Sequence, residues 1–130
     1  MTALLEIVVH TVLLTFAAIM LGAFLRNREW TLDGLMNGLS NRDHLPEATP
    51  LGGRAMRTAS NSIEAAVLFI PLALVAHAAG LDDQVLLGAQ VFFWARVAYI
   101  VTYLAGIVYV RSAIWGVAVA GMGMMLVEMC

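Results

Sequence analysis

Lysine is missing from this chain: all seven basic residues are arginine. Arginine keeps its charge when partly desolvated and offers a planar fork suited to carboxylates. The bias therefore fits cations employed at a site, and the codon usage of a GC-rich genome accounts for it equally well. The single cysteine, Cys130 at the terminus, excludes an internal disulfide and a cysteine metal cluster. Charge is scarce as well. With 12% charged and 62% hydrophobic residues over 130 positions, the chain lies far from a soluble domain, where about half the residues are apolar and about a quarter charged. It reads as an integral membrane protein with hardly any chain left for a soluble domain. No serine or cysteine nucleophile stands beside a histidine, no internal repeat is evident, and nothing supports a metal site or nucleic-acid binding. The first apolar run lacks a preceding basic segment and a small-residue cleavage site, and it carries Glu6 and His10. It is expected to be a retained helix, not a removed signal peptide.

Four apolar runs approach the roughly 20 residues that a helix needs to span a bilayer. They predict a single domain over 1–130, an all-α bundle of four transmembrane helices at about 3–25, 50–79, 84–105 and 108–128, with a polar loop at 26–49. Thr49-Pro50 suits a helix start, Thr49 as cap and Pro50 in the first turn. Pro71 then falls deep inside that helix, which a membrane helix tolerates with a kink. Roughly 43 apolar residues from Val85 to Val127 would measure about 65 Å as one helix, so a turn is expected near Ala105-Gly106. Ala113, Gly116, Ala120 and Gly123 share one face of the last span and suit close helix packing. Arg26, Arg28, Arg42, Arg54 and Arg57 flank the first loop and Arg111 the third, whereas the second offers only Asp82 and Asp83. The positive-inside rule then places loops one and three in the cytoplasm and both termini on the other side, in a bacterial inner membrane the periplasm. His10, His44 and His77 are scattered and read as structural or solvated, with Glu6 and His10 spaced to pair.

One stretch stands out chemically. Arg54, Arg57, Asn61 and Glu64 follow at steps of three, four and three, which puts them within an arc of roughly 80° on one helix. Ionisable groups at such depth are costly and mark candidate functional sites. Glu64 lies roughly 15 Å along the helix from Arg54 and needs an internal partner, for which Arg96 on the next span is the candidate. Arg96, Tyr99 and Tyr103 again share a stripe. Four arginines, Arg54, Arg57, Arg96 and Arg111, gathered around one acid leave a surplus of positive charge that invites an anion. A small ligand with several carboxylates and one ammonium group would satisfy it. Arginine forks would take the carboxylates, Glu64 the ammonium and Asn61 an amide, with Tyr99 and Tyr103 as hydroxyl donors and ring walls. A thiol in such a ligand would have its pKa lowered from about 8.5 toward neutrality.

The segment Arg54-Ala55-Met56-Arg57-Thr58-Ala59-Ser60-Asn61-Ser62-Ile63-Glu64, followed by Phe69, resembles the R-x-x-R-A-x-x-N-x-x-E signature of the MAPEG family, the membrane-associated proteins of eicosanoid and glutathione metabolism. Arg96-Val97-Ala98-Tyr99 with Tyr103, then Arg111, resembles the family's second block, and the likeness runs over the whole chain. It implies a homotrimer with glutathione as co-substrate near the cytoplasmic face, between neighbouring subunits. Arg54, Arg57, Asn61, Glu64, Tyr99 and Tyr103 would hold glutathione, together with Arg96 and, at the end of the first span, Arg26. Arg111 would steady the thiolate. The expected activity is transfer of glutathione to a lipophilic electrophile, or reduction of a lipid hydroperoxide, without a metal. Phe92, Phe93 and Trp94 are candidates to line the electrophile pocket. The alternative is a non-catalytic protein on the same scaffold that modulates partners or binds anionic lipid. The chain departs from the family pattern at Ala59, where His or Gln is frequent, and at Ala65, where Asn or Tyr is common.

Overall fold

The computed structural model describes residues 1–41 and 47–130, which form five helices: α1 (Ala3–Asn27), α2 (Leu32–Leu39), α3 (Pro50–Ala78), α4 (Asp82–Ala105) and α5 (Val108–Met129). No strand occurs among the described residues. All but α2 are long and apolar enough to cross a membrane, so the protein is an all-α integral membrane protein with four candidate spans. Arg42 and His44 of the first loop lie outside the described residues.

Local chemistry sets the helix ends. The Thr2 hydroxyl accepts the Leu5 N–H at 3.3 Å to start α1, and the Thr49 hydroxyl accepts the Gly52 N–H at 3.0 Å to start α3, with Pro50 in its first turn. Such caps satisfy backbone donors that have no partner within the helix. Gly106 ends α4 at φ +79°, a left-handed conformation that a Cβ would penalise, so the turn between the last two spans falls at residues 106–107. The helix α3 runs on through Pro71.

The loop expected at 26–49 is not wholly irregular, because α2 occupies part of it. The Thr31 hydroxyl caps it by accepting the Gly34 N–H at 3.0 Å. Leu32, Leu35, Met36 and Leu39 supply a helical apolar spacing that the turn-forming pairs Asp33-Gly34 and Asn37-Gly38 conceal in the sequence.

The spans are paired rather than evenly bundled. Helix α1 lies along α3 and α5 along α4, while α4 also packs on α1 and α3. Small residues permit the close pairs. A Cβ on Gly22 of α1 would sit 3.2 Å from the Ala55 carbonyl oxygen and the Ala59 Cβ of α3, and one on Gly88 of α4 would sit 2.6 Å from the Gly121 carbonyl oxygen of α5. That second crossing fixes the rotation of α5, which buries Ala118, Gly121 and Met125. The face of Ala113, Gly116 and Ala120 expected to pack is instead exposed in the protomer, and Gly123 is half-buried. At the centre Phe69 and Phe92 stack with ring centroids 4.2 Å apart and planes 5° from parallel.

Glu6 and His10 do not pair. Both are exposed, and the His10 ring lies 6.1 Å from that of Phe93. Among the described residues the one ion pair joins His77 and Asp82 at 2.9 Å, where the Thr2 hydroxyl also donates to Asp82. This contact ties the start of α1 to the turn between α3 and α4.

Candidate functional site

Helix α3 carries Arg54, Arg57, Asn61 and Glu64 on the side away from its seam with α1, where Ala55, Thr58, Ala59 and Ser62 are buried. Helix α4 brings Arg96, Tyr99 and Tyr103 alongside, and the turn at Gly106 returns Arg111 to the same end. The Arg57 Nε donates to the Tyr103 hydroxyl at 3.0 Å. The Arg111 guanidinium carbon stands 4.4 Å from the Tyr103 ring centroid, and that of Arg96 stands 4.3 Å from the Tyr99 centroid. The two tyrosine rings are themselves 5.6 Å apart. Three guanidinium groups are thus held on two neighbouring rings.

Rings attract cations through their quadrupole without cancelling the charge. Among the described residues no arginine lies within ion-pairing reach of a carboxylate, so the expected pair between Glu64 and Arg96 does not form. Arg96 is 97% buried and its Nη2 instead donates to the Ser62 hydroxyl at 3.5 Å. The long hydroxyl contact and the ring leave its charge largely unmatched. Glu64 does face the same space: Asn61, Glu64 and Arg96 share a cavity of about 140 Å³ with Phe92, Trp115 and Met122. The Asn61 Oδ1 is buried with no hydrogen-bond partner among the described residues, an acceptor whose desolvation they leave uncompensated.

The remaining predicted residues sit nearby without joining that cluster. Arg54 donates through Nε to the Leu104 carbonyl at 3.3 Å and lies against Gly106, so it braces the turn between α4 and α5. Arg26 stands at the seam of α1 and α3, where its Cα is 3.4 Å from the position of a Gly52 Cβ, with Nη1 buried and without a hydrogen-bond partner among the described residues. Of the three aromatics expected to line a pocket, Phe92 does so. Phe93 turns toward His10 and Trp94 is exposed, because consecutive helical positions point about 100° apart. Sequence reasoning missed Ser62, whose signal was a buried polar step four residues after Thr58, and Trp115, whose place depended on the rotation of α5. An apolar cleft of about 360 Å³ between α3 and α5, lined by Leu68, Leu72, Val119, Met122, Gly123 and Leu126, adjoins the cavity of Asn61, Glu64 and Arg96 through Leu68, Val119 and Met122.

Ala59, where the resembled family frequently has a longer polar side chain, is packed into the seam of α1 and α3. The residue is 6% exposed, and its Cβ is 3.2 Å from the position of a Gly22 Cβ. Close packing of α1 on α3 replaces that group.

Four candidate spans, a cluster of arginines on two tyrosine rings and a small cavity that holds Asn61, Glu64 and Arg96 define the class: an integral membrane protein with ionisable groups gathered at one end of its helices. The MAPEG family model matches residues 3–129, nearly the whole chain, and the protein belongs to the MAPEG family. Members of that family include glutathione transferases and related proteins. No curated protein sequence matches the chain.

Proposed function

We propose that the protein is a membrane-bound glutathione-dependent transferase, also able to reduce lipid hydroperoxides, that acts as a homotrimer in a bacterial inner membrane with its arginine-rich end toward the cytoplasm. The observation that carries this reading is the set Arg57, Arg96 and Arg111 held on Tyr99 and Tyr103 with no carboxylate in ion-pairing reach among the described residues. Family membership and the adjoining apolar cleft support it.

In this reading Arg54, Arg57, Arg96 and Arg26 bind the two carboxylates of glutathione, and Glu64 takes its ammonium group. The unpartnered Asn61 Oδ1 accepts an amide N–H, and Tyr99 and Tyr103 supply hydroxyls and walls. Arg111 stabilises the thiolate, so the proton leaves to solvent at neutral pH. The sulfur then forms a bond to an electrophilic carbon, and the displaced leaving group, or the carbanion protonated by water, completes the transfer. With a hydroperoxide, two glutathione molecules supply two electrons, and the products are an alcohol, water and glutathione disulfide. Placement of the thiolate beside an acceptor delivered from the bilayer supplies the rest of the rate.

The test is calorimetric titration of reduced glutathione into the purified protein, with ultraviolet detection of thiolate. Binding accompanied by a thiolate band that Arg111→Ala abolishes supports the enzyme. Absence of binding at millimolar glutathione overturns it in favour of a non-catalytic protein, such as one whose arginines hold an anionic lipid headgroup.

A further inference from the structure

Helix α2 leaves an apolar face without a partner among the described residues. Leu32, Leu35, Met36 and Leu39 fall within an arc of about 100° and are 77%, 43%, 62% and 78% exposed. The opposite side holds Gly34 and Gly38, which rest on the end of α1. A Cβ at Gly34 would lie 2.3 Å from the Asn27 carbonyl oxygen, and one at Gly38 would lie 2.5 Å from Glu29 Oε1. The two glycines seat α2 directly on residues 27–29, so its depth is set by where α1 ends. Between the two helices Trp30 folds back, its ring centroid 5.4 Å from that of Phe24 in the last turns of the span. Phe16, Met20 and Phe24 are exposed along α1, and Trp30 extends that surface toward α2. Two arginines, Arg26 and Arg28, flank the junction, and Asp33 is the one formal charge in α2.

We propose that α2 is an interfacial helix that lies in the headgroup layer and buries Leu32, Leu35, Met36 and Leu39 among the outer acyl segments of the bilayer. The headgroup region adds roughly 5 to 8 Å beyond the hydrocarbon on each side, and α2 starts five residues after α1 ends, folded back by the left-handed Arg28. It therefore lies at the depth that amphipathic interfacial helices occupy. Tryptophan at the junction suits the same layer, and the exposed Arg28 suits anionic headgroups. The inference is independent of the glutathione reading, since no residue of α2 belongs to that site.

Spin labels test it on the full-length protein in vesicles of zwitterionic and anionic phospholipid, with Cys130→Ser and single cysteines at Leu35, Met36, Leu39 and Asn37. Labels on the apolar arc should be relaxed more by oxygen than by a water-soluble nickel chelate, and the Asn37 label should show the reverse. Nickel access at all four positions places the face in water and overturns the proposal. Shielding from both reagents with spin–spin broadening places it against a second copy and overturns it equally. Photoreactive lipid applied to the unsubstituted protein checks the result without mutation. Adducts mapped to residues 32–39 are expected, and adducts confined to the four spans count against the proposal.

Discussion

Arg57 and Arg111 share one tyrosine: Tyr103 accepts the Arg57 Nε at its hydroxyl, 3.0 Å away, and carries the Arg111 guanidinium on its ring, 4.4 Å from the centroid. Two like charges from different spans are therefore positioned by one side chain, which gives different atoms to each. The hydroxyl and the ring can be removed separately.

Tyr103→Phe deletes the acceptor for Arg57 and keeps the platform for Arg111. A hydrogen bond at this partly exposed position is worth about 1 kcal/mol, which is about fivefold in affinity. Calorimetry should show glutathione binding weakened by about that factor while the thiolate band at saturation persists. Loss of the band would mean that the hydroxyl acts on the sulfur.

Arg96→Met separates binding from stability. Burial of a guanidinium without a carboxylate costs several kcal/mol, against a cation–π contact worth about 2 kcal/mol and one long hydroxyl contact. Thermal unfolding in detergent should occur at the same temperature or higher, while glutathione affinity falls at least tenfold. A large drop in stability would show that Arg96 is paired by a group outside the protomer.

The crossing of α4 and α5 makes a sharp contrast between glycines. Gly88→Ala forces a Cβ to within 2.6 Å of the Gly121 carbonyl oxygen, whereas Gly116 has nothing within 4 Å. Overpacking of this kind costs about 1 to 3 kcal/mol. Gly88→Ala should lower the unfolding midpoint clearly and Gly116→Ala should not, as measured by circular dichroism in the same detergent. Equal behaviour of the two variants would refute the close approach of these backbones.

Phe69→Ala empties the stacked pair at the centre. Both rings are about 99% buried or more, and the cavity left behind should cost about 3 kcal/mol. The low end of the range applies because lipid, unlike water, solvates an exposed ring well, which leaves packing as the main loss. Scanning calorimetry measures it, and a loss under about 1 kcal/mol would mean that the core relaxes into the space.

The spans were legible in the chain because they depend on little besides length and apolar content, as at Ala3–Asn27, and their ends on local caps such as Thr49 and Gly106. The arginine stripe was legible for the same reason: the spacing of Arg54, Arg57, Asn61 and Glu64 is a property of one helix. The chain also carried the signal for α2 in Leu32, Leu35, Met36 and Leu39, but eight residues broken by two glycines read as turns.

What a single helix cannot decide is its rotation and its neighbour. The pairing of α5 with α4 through Gly88 and Gly121, not through Gly116, placed Trp115 rather than Trp94 at the cavity. Helix neighbours also decided that Arg96 meets Tyr99 and Ser62 instead of Glu64. Spacing along a helix determines which residues share a face, whereas the choice of partner depends on steric contacts between backbones distant in sequence, and only the tertiary structure contains those.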